Sequence, residues 1–284
     1  MKKIQLVILA CTVALFAAAQ NKPAYILYNA NGKKVKYAKM INAIATQDVL
    51  FIGELHNNAI SHWMELEITK DSKEKKPLVL GAEMFEQDNQ QALNSYLEGK
   101  ISAKGLDSAA RLWKNYNTDY APLVDFAKEN KIPFVATNIP RRYAALVNKG
   151  GFEALDTLSS TTKLWMAPLP MAFDSTLPGY TKMKTMMGGH GSSNTVKAQA
   201  SKDATMAYFI LQHLQAGSLF IHYNGSFHSE NHDGIIWYLK KAKPELKIIT
   251  VTTVTQKDIK HLEAENKNKA DYIICVDEDM TNTY

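Results

Sequence analysis

Three short apolar runs, each ending in an acid, a glycine or an imidazole, constrain the fold of this chain more than any other feature. Val49-Leu-Phe-Ile-Gly-Glu-Leu-His56 has the length and continuity of a strand buried on both faces, and it finishes in Gly53, Glu54 and His56. Leu78-Val-Leu-Gly-Ala-Glu83-Met-Phe-Glu86 and Leu219-Phe-Ile-His-Tyr-Asn-Gly225-Ser-Phe-His228 repeat that layout. In an open parallel sheet the carboxyl ends of the strands share one rim, where such folds bind ligands. Polar tips far apart in the chain would then converge on one site.

The rest of the chain supports such a sheet. Strand-like runs at Val49 to Ile52, Leu78 to Ala82, Pro133 to Thr137, Ser218 to Tyr223, Lys247 to Val254 and Asp271 to Val276 are short and apolar. Between them lie stretches of helical spacing at Ala59 to Lys70, Asn89 to Leu97, Tyr120 to Asn130, Arg142 to Lys149, Thr195 to Gln215 and Asp233 to Ala242. This alternation predicts an α/β fold with a doubly wound, mainly parallel sheet flanked by helices. Ahead of it, Ala24 to Tyr28 and Lys34 to Tyr37 around Asn31-Gly32 read as a hairpin. The segment 165–193 breaks the alternation with prolines, glycines and five methionines, and reads as an inserted helical lid. It would close over a flat apolar ligand or pack on its own domain or a second subunit; a sandwich dimer and a covered monomer are both compatible with it.

Residues 1–19 have the layout of a cleavable secretory signal: Lys2 and Lys3, an apolar stretch from Ile4 to Phe16, then Ala17-Ala18-Ala19. The mature domain would run from 20 to 284 and be exported, to the periplasm or the outer membrane. Ile8-Leu-Ala-Cys11 also resembles a lipoprotein cleavage box, which would place a lipid anchor on Cys11. With ordinary cleavage Cys275 is the only cysteine, and an intrachain disulfide is ruled out. The leader's lysines account for part of the net charge of +5, and the remainder is spread without an arginine cluster, so nucleic-acid binding is unsupported.

Within the expected rim, Glu54 and His56 suit a metal or a proton transfer. Glu83 follows an apolar strand, where an ionised carboxylate is costly unless it is paired, hydrogen-bonded or metal-bound. His228 is the natural partner of His56, whereas His222, inside its strand, reads as structural. Thr137-Asn-Ile-Pro-Arg141-Arg142 delivers an arginine to the same edge, where Arg141 clamps an anion or pairs with Glu54 or Glu83. No His-Glu-x-x-His, Gly-x-Ser-x-Gly, Walker loop or Cys-x-x-Cys-His occurs, which removes the zincin, nucleophile-elbow, P-loop and covalent-haem signatures.

The motifs Gly53-Glu-Leu-His56 with His62, Gly81-Ala-Glu83-Met-Phe-Glu86, Asn138-Ile-Pro-Arg-Arg142, Lys202-Asp-Ala-Thr-Met-Ala207 and Gly225-Ser-Phe-His228 together resemble the ChaN-like haem-binding uptake proteins of the Tiki superfamily. The resemblance runs in order along nearly the whole mature chain, with the two Gly-x-x-His motifs and Glu83 as its superfamily mark. It implies haem binding in iron uptake at the cell envelope, with Tyr180 or His190 as iron ligand and Arg141 near the propionates. The wider superfamily, with its Tiki proteases and erythromycin esterases, implies an alternative. There His56, Glu83 and His228, with Glu54 nearby, bind a divalent transition metal for hydrolysis, or His56 acts as a metal-free general base oriented by Glu54 or Glu83.

Overall fold

Seven strands make one sheet, and the order of those strands brings the three motifs together. In the computed structural model, which describes residues 22–186 and 193–284, they are β1 (Tyr25–Asn29), β2 (Val49–Glu54), β3 (Leu78–Glu86), β4 (Phe134–Asn138), β5 (Leu219–Gly225), β6 (Ile248–Gln256) and β7 (Tyr272–Asp277). Their spatial order is β1-β7-β6-β2-β5-β3-β4, with β1 antiparallel to β7 and the other pairings parallel. β2, β3 and β5 occupy the interior of the sheet, which is why their sequences are continuous apolar runs instead of alternating ones. The expected leader, Cys11 and His190 lie outside the described residues.

Ten helices cover the sheet among the described residues: α1 (Tyr37–Ile44), α2 (Ala59–Lys73), α3 (Gln90–Leu97), α4 (Ala103–Ala109), α5 (Ala121–Glu129), α6 (Arg141–Gly150), α7 (Ser160–Lys163), α8 (Pro178–Met186), α9 (Ser193–His213) and α10 (Ile235–Ala242). The two-residue period of β2 divides its side chains between the two faces. Leu50 and Ile52 join Met64 and Ile68 of α2 and Val124 of α5 in one core; Val49 and Phe51 join Val147 of α6, Met206 and Ile210 of α9 and Leu239 of α10 in the other. No helix among the described residues is long and apolar enough to cross a membrane.

Two expectations change. The hairpin is cut short: residues 33–35 fold back on β1 through one antiparallel bridge, Tyr28 to Lys34, with Asn29 N–H donating to Lys33 O and Val35 N–H to Leu27 O, while β1 pairs along its length with β7, where Ile26 meets Cys275 and Leu27 meets Ile274. Tyr37 onward is helix α1, because Met40, Ile41 and Ile44 fall on one helical face and are buried. The stretch expected to be a lid is divided in its roles. Met166 and Met171 are buried in the core beneath α9, Met183 of α8 reaches the rim cleft, and Met186 is 72% exposed. α8 is pinned to its own domain by a small core of Tyr180, Val196 and Ala200, and by Asp233, whose Oδ2 accepts from Gly179 N–H at 2.6 Å.

Candidate functional site

The register of β5 explains why the motifs meet. β5 lies between β2 and β3, with Gly225 opposite Glu54 in the ladder and Tyr223 opposite Ala82. The tips of β2 and β3 therefore flank the tip of β5; the β3–β4 register shifts between Ala82 and Glu86, and Glu83, within that stretch, reaches across to the Gly225 amide. Glu54, His56, Glu83, Gly225 and His228 all line one cleft of about 580 Å³, together with Leu55, Met183, Gln199, Lys202 and Phe227. A smaller cleft of about 350 Å³, at the opposite end of β6 and β7, has no histidine in its lining.

On the β2 side, His56 is the more open of the two imidazoles, with 41% of its side chain exposed. Its Nδ1 lies 2.6 Å from Glu54 Oε1, which also accepts from the Tyr120 hydroxyl at 2.7 Å. Trp113 meets the ring edge-on with centroids 4.9 Å apart. Burial pulls the His56 pKa down, but the Glu54 hydrogen bond and the charges of Glu54 and Glu83 outweigh it and leave the pKa raised. Glu54 itself is buried beside a second buried carboxyl, Glu65 of α2; desolvation and then the Glu65 charge hold Glu54 above the usual carboxylate range, while desolvation and the Asp119 charge raise Glu65 against the lowering effect of its contact with Glu54.

On the β3 side, Glu83 accepts from the Gly225 backbone N–H at 2.9 Å and from His228 Nε2 at 3.1 Å. His228 Nδ1 donates to Asp203 of α9, whose other oxygen accepts from the Tyr180 hydroxyl at 2.7 Å. An imidazole held between two carboxylates is an imidazolium: burial opposes the charge, yet Glu83 and Asp203 carry the His228 pKa up to about 9. Glu83 shows the counterpart, with burial opposed by the His228 charge and hydrogen bond and its carboxyl held far below its ordinary range. With both ring nitrogens donating, His228 offers no lone pair to a cation. Glu83 thus bridges the Gly225 amide and His228, while His56 is held by Glu54 across the same cleft.

The other expected residues lie elsewhere. Tyr180 is 1% exposed with its hydroxyl committed to Asp203, so it props His228 from behind and presents no oxygen to a haem iron in the cleft. Arg141 is exposed in the first turn of α6, outside the cleft lining and unpaired with Glu54 or Glu83; the lysine in the lining is Lys202. His222 is the structural histidine its strand position predicts, bonded to Thr137 and Asn224, with burial lowering its pKa to about 4.

Glu65 and Asp119 are functional-site neighbours that lie outside the motifs, and Asp203, inside Lys202-Asp-Ala-Thr-Met-Ala207, is one to which the motif assigned no role. Two of them carried a readable signal. Asp203 falls in the buried stripe Val196, Ala200, Asp203, Ala207 of α9, and Glu65 in the stripe Ser61, Glu65, Ile68, Ser72 of α2. An acid on the apolar face of a helix needs a partner, for the same reason that Glu83 does at the end of its strand. Asp119 lies in a wide helical turn, Tyr116–Tyr120, which also aims Tyr120 at Glu54.

A profile described as "Haem-binding uptake, Tiki superfamily, ChaN" matches residues 40–239. The Arabidopsis thaliana protein RETICULATA-RELATED 5, chloroplastic, is 25% identical over 202 residues, 65% of this chain; the chain spans only 27% of that curated relative's length. The structure titled as cofacial haem binding to ChaN of Campylobacter jejuni superposes with a TM-score of 0.67 at 18% identity, covering 90% of this chain and 98% of that one. The type III effector HopBA1 superposes with a TM-score of 0.50 at 12% identity, over 91% and 100% of the two chains. At such identities the two structures speak for the fold alone, whereas the profile covers more than half of the sequence, both Gly-x-x-His motifs and the glutamate between them. The chain belongs to the haem-binding uptake family of the Tiki superfamily, the ChaN family.

Proposed function

We propose that this protein binds haem in the rim cleft and serves haem or iron uptake as an exported protein. The geometry of His56 carries the reading: Glu54 holds its Nδ1 at 2.6 Å, and the exposed part of the ring faces the cleft, leaving Nε2 for an iron. A carboxylate on one imidazole nitrogen fixes the tautomer and makes the other nitrogen a better ligand. Leu55, Met183 and Phe227 supply apolar lining for a flat macrocycle, and Lys202 supplies a cation for its carboxylates. Haem brings its own iron chemistry; the chain's residues bind it, orient it and exclude water. The leader-like first nineteen residues support export to the periplasm or outer membrane, and a lipid on Cys11 would add an anchor.

Titration of the purified protein with haemin tests this reading through the Soret band. Saturable binding that His56→Ala weakens at least tenfold is the expected result. A wild-type protein without a saturable Soret shift would refute the proposal. Light scattering in the same titration reports whether two chains sandwich the ligand.

One observation favours a second reading, metal-free hydrolysis. Two carboxylate-held imidazoles line the same cleft, with His56 set to accept a proton and the His228 imidazolium set to stabilise negative charge. In that reading Glu54 orients His56, while Glu83 and Asp203 keep His228 charged. Turnover of activated esters or peptides that both His56→Ala and His228→Ala abolish would support it, and turnover that survives both substitutions would rule it out.

A further inference from the structure

Behind His56, on the side away from the cleft, lies a second cluster that haem binding does not use. Glu54, His62 and Glu65 each place one ligand atom so that all three atoms lie within 4.8 Å of one another, and all three residues are buried. His62 Nδ1 is 3.1 Å from Glu65 Oε2 and 3.6 Å from Glu54 Oε2. The second oxygens of the pair are not otherwise served: Glu54 Oε2 and Glu65 Oε1 are buried without a hydrogen-bond partner, although Glu54 and Glu65 are each only 1% exposed. Two buried acids in contact, each with an unserved oxygen, call for a proton or a cation to be shared between them.

The surroundings of His62 indicate what that charge is. Its Nε2 faces the carbonyl of His56 at 3.1 Å and Asp119 Oδ2 at 3.6 Å, both acceptors, so the Nε2 proton is fixed there. In the neutral ring Nδ1 then carries a lone pair aimed at two carboxyl groups, an arrangement that calls for a proton or a cation between them. A ligating histidine that gives its other N–H to a carbonyl or carboxylate is the usual outer-shell pattern of a metal site.

We propose that Glu54, His62 and Glu65 bind one divalent first-row transition cation in this buried position. One imidazole nitrogen with carboxylate oxygens suits zinc, manganese or iron(II) better than calcium or magnesium, which favour all-oxygen shells. Glu54 also lines the cleft, which provides the route of entry. Because Oε1 of Glu54 stays on His56 and Tyr120, a cation on Oε2 would lock the carboxylate that orients the cleft imidazole. The ion is thus a positioning element, and its presence does not depend on haem.

The test uses the full chain, stripped with chelator and free of haem, and titrated with Zn²⁺ and separately with Mn²⁺. Calorimetry and elemental analysis are expected to give one tightly held ion per chain, with a rise in thermal midpoint. Glu65→Gln is expected to lower the affinity at least tenfold and His228→Ala to leave it unchanged, with His62→Gln as the second variant if Glu65→Gln fails to fold. No ion taken up by the wild type at millimolar Zn²⁺ or Mn²⁺ would overturn the proposal. Equal uptake by wild type, Glu65→Gln and His62→Gln would also overturn it, by placing the ion elsewhere.

Discussion

His56 closes directly over Gly225: a β-carbon on Gly225 would stand 2.8 Å from His56 Cε1 and 2.9 Å from Nε2. The glycine is there for space and not for backbone freedom, since its φ of −53° is open to any residue. Gly225→Ala is expected to push the imidazole out of the cleft, weakening haemin binding at least tenfold. The overpacking should cost about 1–3 kcal/mol. Haemin titration alongside thermal denaturation separates the two effects, and an alanine variant with unchanged affinity would show that His56 does not hold the ligand.

The His228 imidazolium makes stability depend on alkaline pH. Its pKa is raised in the fold to about 9 from an ordinary value of 6.5, so its contribution is complete below about pH 6.5 and disappears as pH rises through about 9. Glu83, whose pKa is depressed, works at the other end: its contribution is present above the ordinary carboxylate range and fades in acid. Denaturant melts of the wild type are expected to lose a few kcal/mol between pH 6.5 and 10, on the order set by a shift of that size. In His228→Asn that part of the slope should vanish; an unchanged slope would place the titrating group elsewhere.

Tyr180 braces the site from behind His228. Its hydroxyl donates to Asp203 Oδ2 at 2.7 Å in a buried setting. Tyr180→Phe should cost about 1–2 kcal/mol from the unserved acceptor while leaving the Soret spectrum of the haem complex intact. Loss of the Soret band in a folded Tyr180→Phe protein would restore this tyrosine as an iron ligand.

The two candidate anion clamps differ in position. Lys202 lines the cleft, and Arg141 is exposed outside it. Lys202→Gln is expected to weaken haemin binding several-fold, with a smaller effect at high salt, and Arg141→Gln to leave it unchanged. The reverse order would move the carboxylate-binding end of the ligand to the start of α6.

Much of this site was legible before any coordinates, and the reason is local. Val49–Ile52, Leu78–Ala82 and Leu219–Tyr223 are too apolar to lie anywhere but inside a sheet, and the residues after such strands must emerge at its rim, so Glu54, His56, Glu83 and His228 could be assigned to a common edge. Partnership was not legible in the same way. That β1 pairs along its length with β7, and with the chain after its turn only at Lys34, depends on a strand more than two hundred positions downstream. Whether Tyr180 faces the cleft or its supporting wall depends on α8 docking against α9 at Asp203. The helix-borne acids Glu65 and Asp203 were marked by their apolar stripes, yet only the packing of α2 and α9 on opposite faces of the sheet gives one to Glu54 and the other to His228. Periodicity is a property of neighbours along the chain and fixes which side of an element is buried. The protonation and the ligand capacity of each imidazole come from groups brought within about 3 Å by long-range packing, since hydrogen bonding acts over that distance and is blind to separation along the chain.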